Sequence, residues 1–188
     1  MKARELFKKA GIGSLALAFL LVVLNWMSTP AWAHPRHAIF VAQSQVDTVG
    51  DVEHRMAMEG RVSFDADDGT LSGSGTFVHF DNASEIPKTI LSFGTWEAKE
   101  FVSLTERVGM PYGNIEARIL EILVDLTTDE GEVISGVTLR IISNIDPAGL
   151  TTGEATGFKL TIPGAPFGNF EPRDPPVGLA QISAGNLP

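Results

Sequence analysis

The sequence predicts an all-β protein, an antiparallel β-barrel or β-sandwich of about seven to eight strands with a Pro/Gly-rich C-terminal segment. Apolar and polar residues alternate with period two through most of the chain after residue 34, and Gly, Pro, Asp and Asn clusters break the alternation every ~8–15 positions. A pair of glycines, Gly73 and Gly75, and a change of phase in one long apolar stretch lean towards a curved, barrel-like sheet.

A leader precedes the strands. Lys2, Arg4, Lys8 and Lys9 make a basic start, Gly13 to Trp26 is an apolar run, and Ser28-Thr29-Pro30 ends it. Ala31-Trp32-Ala33 then puts small residues where a signal peptidase cuts, so residues 1–33 read as a secretory signal peptide. The apolar run is short for a spanning helix, which needs about 20 residues. The expectation is a secreted or periplasmic protein with no stable membrane anchor after cleavage. The 188-residue chain less its first 33 leaves 155 residues, an ordinary size for one domain. The expected division is a β-domain over residues 34–162 and a Pro/Gly-rich segment over 163–188 that packs on it.

Taken in order, Ala38 to Val46 is a candidate first strand. In Arg55 to Phe64, Met56, Met58, Val62 and Phe64 share one face. Asp65-Ala66-Asp67-Asp68-Gly69 reads as a hairpin loop, since Asp-Gly tolerates positive φ. Thr70 to Phe80 returns with Ser72, Ser74 and Thr76 on one side. Thr89 to Leu104 is long and changes phase between Trp96 and Phe101, as a β-bulge would cause. Ile115 to Leu126 fits a strand or an amphipathic helix; its place between two turn clusters favours the strand. In Val133 to Ile145, Val133, Val137, Leu139, Ile141 and Ile145 are expected on one face. Phe158, Leu160 and Ile162 alternate with Lys159 and Thr161 in a last short strand. Six prolines between Pro163 and Pro188 rule out a regular sheet there, although Val177 to Ser183 can add an edge strand. Phe167, Phe170 and Leu179 are candidates to pin this segment to the domain.

Composition narrows the function classes. Without the leader the chain carries 10 Lys and Arg against 22 Asp and Glu, an excess of 12 negative charges. Nucleic acid and anionic headgroups would repel it, and it holds no basic cluster to oppose that. It has no cysteine, so disulfides, Cys nucleophiles, Cys-ligated zinc, iron–sulfur clusters and a thioether-linked lipid are all excluded. The acidic loop at 65–69 departs from a calcium loop, with Gly fifth rather than sixth and Thr76 at the twelfth position. No serine sits in G-x-S-x-G. The carboxylate pairs Glu97 with Glu100 and Glu116 with Glu121 read as solvated surface in so acidic a chain.

Two groups of residues remain as site candidates. The first is histidine: His34, His37, His54 and His79. Cleavage after Ala33 would make His34 the first residue, with an α-amino nitrogen and an imidazole on one residue. That pair, with a second imidazole from His37, His54 or His79, resembles the histidine brace of secreted copper proteins and copper oxygenases. The resemblance implies copper as a cofactor held by His34 with His37 or His79. The second group is aromatic. Phe93, Trp96, Phe101 and Tyr112 are candidates to line a pocket for a small apolar ligand at a barrel mouth. The expectation is an exported, non-catalytic ligand-binding or interaction module, taking a small apolar ligand or a protein partner. The alternative is a small secreted enzyme, either a barrel isomerase or cyclase or a copper protein using His34.

Overall fold

Alternating side chains become strands in the computed structural model, which describes residues 35–45, 51–84, 86–108, 116–144, 152–166 and 169–183. These residues contain nine strands: β1 (Arg36–Gln45), β2 (His54–Phe64), β3 (Leu71–Asp81), β4 (Thr89–Val108), β5 (Glu116–Thr128), β6 (Val133–Ser143), β7 (Gly157–Thr161), β8 (Glu171–Pro172) and β9 (Gly178–Ile182). Among the described residues there is no helix. The ambiguous segment is therefore a strand, β5. The leader, His34, Tyr112, Ile145 and Phe167 lie outside the described residues.

All pairings are antiparallel, and β1 to β7 follow one another as a meander. Strands β8 and β9 lie end to end along the free edge of β1, with Pro172 opposite Ser44 and Gly178 opposite Ala42. Phe170, just before β8, exchanges two backbone hydrogen bonds of 2.9 Å with Leu160 of β7. The Ser44 hydroxyl of β1 donates to the carbonyl of Phe158, also in β7. These contacts bring the two ends of the meander together, so the sheet is nearly closed into a barrel. Closure removes most of the unpaired edge that an open sheet would expose.

The inward faces fill the barrel. Phe40, Met56, Phe64, Leu120, Ile122, Leu139, Ile141 and Phe158 are all fully buried. Trp96 lies among them, 1% exposed, with its indole N–H donating to the Glu59 carbonyl at 2.9 Å. Gly60 and Gly75 face each other across β2 and β3, and a Cβ on either would collide with the Trp96 ring. The glycines thus make the space that the largest side chain occupies.

A register shift in β4 between Ala98 and Glu100 accounts for its change of phase before Phe101, and a second follows between Phe101 and Ser103. A third corrects the reading of β6. Leu126 pairs with Ile134 and Val124 with Val137, which leaves one extra residue on β6, and Gly136 there has φ +72°. The bulge turns Val133 outward, 57% exposed, and brings Ile134 to the inward side.

Strand direction alternates, so the barrel has two distinct ends. One holds the starts of β1 and β5 and the ends of β4 and β9. There Arg118, its side chain 4% exposed, donates from Nε to Glu106 Oε1 at 2.8 Å and from a terminal nitrogen to the Ile182 carbonyl at 2.8 Å. Arg36 meets the same Glu106 oxygen at 2.6 Å. The other end holds the start of β2, the end of β3 and the β5–β6 turn.

Candidate functional site

Alternation along β3 turns Leu71, Gly73, Gly75, Phe77 and His79 towards the interior, so an imidazole takes the last position of an otherwise apolar row. Along β2 the same rule aligns His54 with Met56 and Met58. The hairpin register sets Met56 opposite His79 and His54 opposite Asp81. His54 Nδ1 and His79 Nε2 are then 2.9 Å apart, with ring centroids separated by 5.1 Å. One nitrogen must donate and the other accept, so the contact requires at least one neutral ring. His79 also meets the Phe170 ring edge-on, at 5.5 Å between centroids. The imidazole thereby touches the residue that closes the barrel seam.

Burial, and after it the neighbouring His54, together lower the His79 pKa to about 4. Near neutral pH His79 is therefore an uncharged hydrogen-bonding group within an apolar wall.

That wall belongs to a cavity of about 380 Å³ at this end of the barrel. Met56, Phe77, Leu126, Ile134 and Ile162 give it an apolar surface. His79, Ser92 and Thr128 add uncharged polar groups, and exposed Glu132 stands at the lip. The turn from Pro163 to Pro166, anchored by a hydrogen bond from the Ala165 N–H to the Ile162 carbonyl, forms the remaining side. A mostly apolar hollow with a few convergent polar groups is the common form of a small-molecule site.

The structure does not bring the three described aromatic candidates, Phe93, Trp96 and Phe101, together. Trp96 is packed in the barrel core. Phe93 belongs to the outward row of β4, opposite Val78, and is 47% exposed. Phe101 stacks on Phe64, with centroids 6.0 Å apart. Tyr112 lies outside the described residues. Aromatic identity alone does not report which face of a strand a residue occupies or how far along the barrel it sits.

The histidine set is also divided. His37 pairs with Ser63 and His79 with Met56, seven residues apart along β2, or roughly 23 Å of extended strand. His37 also precedes inward-facing Ala38, which places it on the outer face. His37 and His79 therefore do not share a site. His34 lies outside the described residues. Among the described residues no group of three or more His, Asp or Glu is arranged to hold a metal ion.

Sequence reasoning missed the cavity's own lining: Met56, Phe77, Ser92, Leu126, Thr128, Glu132, Ile134 and Ile162. One signal for part of it was present. Counting back from Phe64 opposite Leu71, at the base of the 65–69 loop, reaches Met56 opposite His79. A second hollow, of about 270 Å³, lies against β1, β2 and β3 and includes Val41, Gln43, Ala57, Val78 and Val177. Among the described residues it holds no imidazole, and Glu59 is its one titratable side chain. The cavity at the barrel end is the site with chemistry.

Fold and cavity together define the chain as a small antiparallel barrel with a side-chain-lined mouth. No family model matches this chain, and neither do curated proteins or solved structures.

Proposed function

We propose that this protein is an exported carrier or sensor that binds a small, mostly apolar molecule in the mouth of its barrel. One observation carries the reading: a hollow of about 380 Å³, within the range of ordinary ligand pockets, whose apolar walls are interrupted by a few polar groups. The leader-like first 33 residues support export. The acidity of the chain favours an uncharged or cationic small molecule over nucleic acid or an anionic surface.

The test is binding of an uncharged apolar fluorophore, N-phenyl-1-naphthylamine, followed by titration. Ile134→Trp and Ile162→Trp would each fill the hollow, and each is expected to reduce binding at least tenfold while the circular dichroism spectrum stays that of a β-protein. Undiminished binding in both variants would rule the mouth out as the site.

A second reading, a small isomerase, draws on the contact between His54 and His79. Proton transfer within one apolar substrate needs no co-reactant and suits a positioned imidazole. It predicts turnover that His79→Gln abolishes while binding persists.

A further inference from the structure

From the groups that line the barrel mouth, we infer that the site selects a molecule with an uncharged polar head, an alcohol or a ketone, and discriminates against carboxylates. The inference rests on the cavity reading above and adds the chemical class of the ligand.

Among the described residues, the lining contains neither Lys nor Arg. A carboxylate entering it would leave water and find no cation to meet it. Its approach would pass Glu132 at the lip, on a protein whose charges are already negative in excess. Both effects oppose an anion. An ammonium head fares differently. Glu132 attracts it at the lip, but exposed charge is screened, and beyond the lip Met56, Phe77, Leu126 and Ile134 offer no counter-charge.

An uncharged head pays neither penalty and finds partners. Ser92 and Thr128 can each donate or accept through a hydroxyl. His79 is held by His54, and the pair can exchange donor and acceptor roles by shifting tautomer. An alcohol, which donates and accepts, and a ketone, which only accepts, are both accommodated. The hollow lies at the small end of the usual range of about 300–1,000 Å³, which suits a medium-length chain or a compact ring system.

The experiment is calorimetric titration of the protein with decan-1-ol, decan-2-one, decanoate and decylammonium. It is run at pH 7.5, below the concentration at which each self-associates. The alcohol and the ketone are expected to bind at least tenfold more tightly than decanoate, with decylammonium between them. In His79→Phe, which keeps a ring of similar size, the affinity for decan-1-ol should fall at least threefold. Ser92→Ala gives the same readout should His79→Phe not fold. Decanoate binding as tightly as decan-1-ol would overturn this inference and leave the cavity reading standing. A failure of all four probes to bind would overturn both.

Discussion

The two ends of this barrel solve the same problem with opposite chemistry. At one end, one charged group is drawn inward and satisfied. Arg118 lies buried between Glu106 and the Ile182 carbonyl, and Arg36 meets the same carboxylate. At the other end, the inward positions go to uncharged groups, and the Arg55–Glu53 ion pair lies on the neighbouring row. Two imidazoles 2.9 Å apart share a contact that requires a neutral ring, beside a hollow of about 380 Å³. The ionic end ties β5 to β4 and β9 and is built as a latch. The neutral end leaves room. A small barrel that filled both ends with packed side chains would have nowhere to put a ligand.

The largest effect should come from breaking the latch. Arg118→Ala removes a buried guanidinium and leaves the Ile182 carbonyl and part of Glu106 without their partner. Arg118 is the buried member while Glu106 stays partly exposed beside Arg36, so the loss is that of charge-assisted hydrogen bonds, about 2–3 kcal/mol. The variant is expected to lose stability in that range, read from urea denaturation. A loss under about 1 kcal/mol would mean that Glu106 and Ile182 are not tied through Arg118, and the contrast between the ends would fail.

Adding bulk should separate the ends next. Leu120, fully buried near the latch, sits in close packing, whereas Ile134 lines the hollow. Leu120→Trp is expected to destabilise by about 2 kcal/mol through overpacking, while Ile134→Trp should cost about 0–1 kcal/mol because the space exists. Equal losses in thermal or chemical denaturation would show the hollow to be unable to accept a larger side chain.

Much of this fold is legible in the chain because a strand's alternation is local. Met56, Met58, Val62 and Phe64 declare their shared face without knowledge of any partner strand. The phase change in β4 is visible for the same reason. Val133 defeats the method, because a bulge at Gly136 adds a residue without disturbing the apparent alternation. The site is less legible than the fold. Its walls come from β2, β3, β4, β5 and β6 and the turn after β7, and only tertiary register brings Ile162 and Pro163 to His79. Trp96 is the instructive case. Its role as core rather than pocket depends on Gly60 and Gly75 lying opposite each other across a hairpin, and interior glycines in paired strands hint at that arrangement.

The smallest expected effect concerns pH, and it tests the neutral end directly. In the unfolded chain His79 takes up a proton near its ordinary 6.5, and in the barrel not until about 4. Between those values the unfolded state binds more protons, so stability falls as pH falls. The contribution is complete above about pH 6.5, declines from there to about pH 4, and stops changing below, where both states are protonated. Each pKa unit corresponds to at most about 1.4 kcal/mol, and because His79 is only half-buried, the total is discounted to roughly 1 kcal/mol. His54 faces His79 directly, Asp81 lies opposite His54, and Glu132 shares the cavity, so carboxylates add their own slope in acid. The readout is therefore the difference between the protein and His79→Phe, each denatured with urea at intervals from pH 4 to 7.5. The variant should lack the part of the slope that His79 supplies. Parallel curves would show that His79 is as easily protonated in the barrel as outside it, and the end now described as neutral would then carry charge like its counterpart.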